Sequence, residues 1–269
     1  MNARLAPTLT ARMSPFSLWR SVLAAALLGA CNMAVQAGEV TVAVAANFAA
    51  PMARIAASFR LSTGHVARLS TGSTGKFYSQ IVAGAPFEIL LAADDETPRR
   101  LLREGHAVAG TASTYAIGQL VLWSAQAGVV DDQGNVLGQG RFKHLAIANP
   151  RTSPYGAAAL QVLQKRGLMP TLQKRLVTGE SVGQAYQFVA TGNAELGFVA
   201  LSQVLKPGQA AAGSMWRVPQ ALFDEIRQDA VLLKAGASNP AARALLNYLK
   251  TPAARAVIDA YGYGDPLAR

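Results

Sequence analysis

Three observations predict an α/β fold of parallel strands covered by helices. From Glu39 onward, short apolar runs of β type alternate with stretches of helical periodicity. Apolar residues recur twice at clear helical spacing. After a polar, glycine-rich connection, Asp131-Asp132-Gln133-Gly134-Asn135, the strand-then-helix pattern starts again. Two α/β units in series invite a two-lobed architecture, while periodicity alone leaves a single doubly wound sheet open.

In chain order, strands are expected over 40–45, 65–69, 89–92, 119–123, 145–148 and 196–199. Between the first two, Met52, Ile55, Ala56 and Phe59 stand at i, i+3, i+4 and i+7, the stripe of an amphipathic helix, which Ser62-Thr63-Gly64 stops. A second helix starts near Thr74, carries Phe77 and Ile81 on one face and ends at Gly84, a glycine suited to a left-handed C′ position. A third spans about 96–104 and ends at Gly105. In the second unit a turn at Asn149-Pro150 leads to a helix over about 155–166. A later helix places Val182, Ala185, Tyr186 and Val189 on one stripe, directly before the strand at 196–199.

The amino terminus reads as a secretory signal over 1–37: Arg4, Arg12 and Arg20, then the apolar run 21–30, then small residues ending Val35-Gln36-Ala37. That run falls well short of the roughly 20 residues needed to span a bilayer. Met13 is an alternative start. Cys31, the only cysteine, follows Leu28-Gly29-Ala30 in a lipobox-like setting, so cleavage before Cys31 and lipid anchoring is the second outcome. Cleavage after Ala37 is preferred, because the first strand begins almost at once. Neither outcome leaves a disulfide.

The chain has 269 residues and 51% hydrophobic side chains, which excludes a disordered protein. Its 25 basic and 15 acidic residues give +10; without the three arginines of the leader, +7 remains. Nucleic-acid binders cluster their cations on one face, whereas these are scattered. A basic surface of this kind also draws small anions.

Ligands of open α/β sheets gather beyond the carboxyl ends of strands, so the strand-to-helix junctions are the candidate sites. The first is Ala45-Ala46-Asn47-Phe48, where Asn47 can serve as an N-cap or donate its amide to a ligand. The second is Ser70-Thr71-Gly72-Ser73-Thr74-Gly75-Lys76, whose small residues, N–H groups and helix dipole suit an anion; an ordinary polar turn is the bland reading. It is not a P-loop: Ser70 stands where the first glycine belongs and Phe77 where the hydroxyl belongs. The third, 149–156, presents Tyr155 and its N–H at a helix start, with surface packing of the ring as the alternative. The fourth is 178–183.

Catalytic patterns are weak. His65, His106 and His144 lack metal-ligand spacing and read as solvated. No Gly-x-Ser-x-Gly elbow occurs. Asp94-Asp95-Glu96 reads as complementing a helix dipole.

Taken together, Val42-Ala43-Val44-Ala45-Ala46-Asn47-Phe48, Gly72-Ser73-Thr74-Gly75-Lys76-Phe77-Tyr78-Ser79-Gln80-Ile81 with Gly84-Ala85-Pro86-Phe87, Ala92-Ala93-Asp94, Ala148-Asn149-Pro150 with Pro154-Tyr155-Gly156, Gly179-Glu180-Ser181-Val182 and Leu196-Gly197-Phe198-Val199 resemble the periplasmic molybdate-binding proteins of ABC importers. The pieces keep the family's order across nearly the whole mature chain. The resemblance implies a two-lobed type II periplasmic binding protein fold with a ligand cleft between the lobes. Lobe 1 would comprise 38–117 plus 223–269, and lobe 2 would comprise 118–222. It implies a periplasmic monomer, neither enzyme nor cofactor protein, that takes molybdate or tungstate as an oxyanion, with no direct metal ligands, and hands it to a membrane permease.

Carried over residue by residue, the resemblance implies an anion held at Ala46 and Asn47, by the hydroxyl and N–H of Thr74 with Ser73 beside it, and by the N–H groups of Tyr155 and Val182. Some members use a tyrosine where this chain has Ala200, so Tyr155 is a hypothetical source of the missing phenol. Molybdate, a fully ionised dianion, offers only acceptors and suits such donors. Phosphate, protonated near neutral pH, would want a carboxylate, and Glu180 is the one nearby in sequence. The alternatives are a receptor for sulfate or another tetrahedral oxyanion and, from another class, a secreted hydrolase using Ser73.

Overall fold

The computed structural model describes residues 37–266; the expected signal segment, with Cys31, lies outside the described residues except for Ala37. Two five-stranded sheets organise the chain. The first, in order β2-β1-β3-β10-β4, contains β1 (Glu39–Ala45), β2 (Val66–Gly72), β3 (Ile89–Leu91), β4 (Ser113–Gly118) and β10 (Ile226–Leu232). The second, in order β7-β6-β8-β5-β9, contains β5 (Leu120–Ser124), β6 (Leu145–Ala148), β7 (Leu176–Gly179), β8 (Leu196–Ala200) and β9 (Ser214–Arg217). Both have one plan. Three parallel strands adjoin an antiparallel pair, with β10 antiparallel to β3 and β4 and β5 antiparallel to β8 and β9. The chain crosses between sheets after Gly118 and returns between Arg217 and Ile226.

Strand periodicity assigns the faces of the first sheet. Val40, Val42 and Val44 pack with Ile89, Leu91, Ala230 and Leu232 on one side, and Ala43, Leu90 and Val231 pack on the other. Both faces are therefore covered, as parallel sheets require. The helices are α1 (Ala49–Thr63), α2 (Thr74–Val82), α3 (Glu96–Arg103), α4 (Val136–Gln139), α5 (Pro154–Lys165), α6 (Met169–Leu172), α7 (Val182–Ala190), α8 (Leu201–Val204), α9 (Pro240–Tyr248) and α10 (Pro252–Ala260). Met52, Ile55 and Phe59 of α1 are fully buried, as their spacing predicts, and Gly64 ends the helix at φ 77° with its N–H on the Arg60 carbonyl.

Several expectations change. β2 runs on through Ser70-Thr71-Gly72, which pair in register with Ala43, Val44 and Ala45. An edge strand with solvent on one side needs no apolar run to continue. β4, β7, β9, β10, α9 and α10 carry no alternation or stripe strong enough to predict them. His65 is buried and its Nδ1 accepts the Gly38 N–H at 2.9 Å, so it is a structural histidine and not a solvated one.

Candidate functional site

The strand ends of both sheets meet at one place. Three helices of nine or more residues start there: α2 after Ser73, α5 after Ser153 and α7 after Ser181. A short 3-10 turn, Ala46–Phe48, follows β1 at the same place. The walls of a small cavity include Ala46, Asn47, Ser73, Thr74 and Ala93 on the first-sheet side and Ser153 and Val182 on the second-sheet side. The expected residues Ala46, Asn47, Ser73, Thr74 and Val182 are thus brought together. Tyr155 stands at the start of α5 beside Ser153, but its ring is not part of the wall.

What the cavity offers is donors. The first-turn N–H groups of a helix have no partner inside it. Here the backbone N–H groups of Thr74, Tyr155 and Val182, and that of Asn47 in the 3-10 turn, have no acceptor among the described residues. Ser181 caps α7 by accepting the Gln184 N–H, whereas Ser73 and Ser153 make no side-chain cap bond. The Thr74 hydroxyl oxygen accepts the Ala93 N–H at 2.9 Å, which leaves its proton to be donated elsewhere. Ser73 Oγ is buried without a partner.

Asn47 differs from its expected N-cap role. Its side chain makes no cap bond; Nδ2 donates to Gln228 Oε1 at 2.9 Å and to the Tyr263 hydroxyl at 3.0 Å, while Oδ1 is buried and unpartnered. Behind it, Ser202 and Tyr263 both place their hydroxyls 2.9 Å from the Asn47 carbonyl. The Tyr155 hydroxyl lies in this buried layer too, 3.1 Å from Gln228 Nε2, which donates to it. Its phenol therefore faces the crossing between the sheets and is not placed as a substitute for the absent tyrosine at Ala200. Gln228, Tyr263 and Ser202 were not legible as site residues, since a buried polar side chain leaves no periodic signal; Ser153 lies within the third junction, where Tyr155 alone was singled out.

Electrostatically the cavity is neutral: none of its lining side chains carries a formal charge. At the rim, Lys76 of α2 forms an ion pair with Glu180 across the junction, both side chains more than half exposed. Glu180 is thus neutralised by Lys76. Burial pushes the phenols of Tyr115, Tyr155 and Tyr263 up from the ordinary tyrosine value, so all three stay protonated at neutral pH. In the unfolded chain they ionise near about pH 10. Above that pH the folded state holds more protons, so the stability they support falls as pH rises past about 10. Denaturant melts in steps up to about pH 11 should show this loss, reduced in Tyr155→Phe.

The comparisons place the chain. The family model for bacterial extracellular solute-binding proteins matches residues 40–264. The chain is 62% identical over 250 residues to the molybdate-binding protein ModA of Azotobacter vinelandii, covering 93% of this chain and 98% of that one. It is 51% identical over 250 residues to the molybdate-binding protein ModA of Rhodobacter capsulatus, covering 93% and 97%. Among solved structures, a periplasmic molybdate-binding protein of Azotobacter vinelandii matches with TM-score 0.83 and 43% identity over 84% of this chain and 99% of that one. The sulfate-binding protein SubI of Mycobacterium tuberculosis shares the fold alone, with TM-score 0.68 and 15% identity over 85% and 88%. The architecture is the two-lobed type II periplasmic binding protein fold. With 225 of its residues matched by the family model and relatives above half identity along almost its whole length, the chain belongs to the family of bacterial extracellular solute-binding proteins.

Proposed function

We propose that this protein is an extracytoplasmic receptor that captures molybdate, and tungstate with it, and delivers the anion to the membrane permease of an ABC importer. The observation that carries this reading is the set of unpartnered N–H groups at Asn47, Thr74, Tyr155 and Val182, contributed by both lobes, with the hydroxyls of Ser73 and Thr74 beside them. Three helix dipoles also point their positive ends at the cavity. A dianion of four equivalent oxygens can accept from every one of these groups. No carboxylate lines the cavity to receive the proton that phosphate carries. The names of the relatives at 62% and 51% identity support the choice of molybdate.

Sulfate presents the same acceptors on a smaller body, so cavity size separates the two receptors. The hydrolase reading loses its support at Ser73, whose Oγ touches no histidine or carboxylate that would activate it. A molybdate-dependent rise in melting temperature without ester turnover tests receptor against hydrolase; turnover with no such rise would reverse the assignment. Ligand at 100 times its Kd should add about 2.7 kcal/mol of stability.

The lobes are taken as 38–117 with 223–269, and 118–222, working as a monomer that closes by a hinge. What supports this division is the membership of the two sheets and the two chain crossings between them. Export through a signal over 1–37, with cleavage after Ala37, belongs to the same reading, and lipid anchoring at Cys31 is its alternative. The Lys76–Glu180 pair is exposed, and such pairs contribute little. Lys76→Ala is therefore expected to weaken molybdate binding by no more than about fivefold at low salt, and by less at about 1 M salt. Paired titrations at the two ionic strengths check it.

A further inference from the structure

Gln228 is fully buried on β10 and touches residues of both lobes, yet it is not part of the cavity wall. Its Oε1 receives the Asn47 Nδ2–H at 2.9 Å and lies 3.0 Å from the Tyr115 hydroxyl, which is also 2.9 Å from the Ala92 carbonyl. Its Nε2 donates to the Tyr155 hydroxyl at 3.1 Å. Two groups are left over in this arrangement. Asn47 Oδ1 has no partner, and the Tyr155 hydroxyl, which receives the Gln228 Nε2–H and stands within hydrogen-bonding reach of the Asn47 amide, has its own proton still to place.

Both are resolved if the two amides are turned end for end together. Gln228 Oε1 then accepts the Tyr155 proton, and Gln228 Nε2 donates to Asn47 Oδ1 and to the Tyr115 oxygen. The Tyr115 proton keeps the Ala92 carbonyl. Tyr263 can donate to either oxygen of Asn47. Asn47 Nδ2 is then released, with two N–H groups, at the place where the unpartnered Oδ1 stood. Asn47 lines the cavity, and a released amide N–H can serve a dianion there, whereas an unpartnered amide oxygen can only repel it. Buried amides are oriented by their hydrogen-bond partners, and an unmade buried bond is costly.

We propose that Gln228 is a positioning residue for the oxyanion site. In the loaded protein its amide donates to Asn47 Oδ1, and this turns the Asn47 N–H groups toward the anion. The inference rests on the oxyanion reading of the cavity. Through this coupling the buried layer behind the cavity sets whether the site presents a donor or an acceptor.

The test uses the mature protein with Gln228→Glu, Asn47→Leu and the double variant, titrated with molybdate by calorimetry from about pH 5 to about pH 8. An ionised carboxyl at 228 accepts only, so it holds Asn47 in the unproductive orientation. A protonated one can donate as the glutamine does. Gln228→Glu is expected to lose about 100-fold in affinity at the upper pH and to recover most of it at the lower, while wild type stays flat. In the Asn47→Leu background the pH-dependent deficit should largely vanish, which repulsion through space would not produce. In wild type the Asn47 side-chain amide resonance, identified by its loss in Asn47→Leu, should shift on adding molybdate.

Equal affinity of Gln228→Glu at every pH would overturn the proposal, and so would a deficit unchanged by Asn47→Leu. Should Gln228→Glu fail to fold, Gln228→Met replaces it, with a loss of about tenfold expected that Asn47→Leu again abolishes. Failure of wild type to bind any oxyanion would instead sink the functional reading and is separately visible.

Discussion

Gly75→Val is expected to abolish tight molybdate binding, a loss of at least about 100-fold, while the ligand-free protein melts within a few degrees of wild type. Gly75 is the second residue of α2, and its N–H donates to the Thr152 carbonyl across the cleft at 3.0 Å. A Cβ at this position would stand 2.9 Å from Thr152 Cα and 3.0 Å from Thr152 Cβ. The nearest obstacle is backbone, so no rotamer change relieves it. The valine therefore holds the lobes apart and breaks the bond between them. In an open form nothing opposes it, and valine is at least as good a helix residue as glycine. Calorimetry would read the affinity, and small-angle scattering should show no molybdate-dependent compaction. Wild-type affinity in this variant would mean that closure at Thr152 has no part in capture.

Val182→Pro is expected to cost about 10- to 100-fold in molybdate affinity, with the fold retained. Val182 opens α7, a first-turn position where proline's fixed φ suits the helix, and the preceding Ser181 is extended at φ −140°, as a residue before proline should be. The substitution removes a single N–H that has no acceptor among the described residues and that the proposed function assigns to the anion. Hydrogen bonds to a charged acceptor contribute about 1.5–3 kcal/mol, which sets the range. Val182→Ala keeps the N–H and trims the same buried side chain. It should bind nearly as wild type, which separates the lost donor from lost packing.

Much of the fold was legible because its core strands and helices repeat at 2.0 and 3.6 residues. Met52, Ile55 and Phe59, or Val182, Ala185 and Val189, announce their buried faces directly. The strand β10 was not legible, because Gln228 and Asp229 interrupt its apolar run. Only the structure shows what satisfies them: Asn47, Tyr115 and Tyr155 around Gln228, and Thr114 on Asp229 at 2.6 Å.

The cavity-forming junctions could be found from glycine, serine and threonine leading into helices, since that composition makes anion sites. The side of each residue that faces the ligand could not. Asn47 looked like a donor through its amide, and the structure commits both amide N–H groups to a layer behind the site. Tyr155 suggested a phenol, and the structure leaves its backbone N–H unpaired while burying its ring. Long-range partners such as Tyr263, 216 positions from Asn47, have no local signature in the chain.

The pH response of binding follows from the same neutrality. With no titratable side chain lining the cavity and the three phenols behind it held protonated, wild-type affinity for molybdate should be flat from about pH 6 to about pH 9.

The most direct measurement is one calorimetric titration series of the chain without its first 37 residues against molybdate, tungstate, sulfate and phosphate at fixed ionic strength. The neutral donor cavity, under the proposed molybdate reading, predicts tight one-to-one binding of molybdate and tungstate, with sulfate and phosphate far weaker. Tight binding of sulfate with none of molybdate would contradict it.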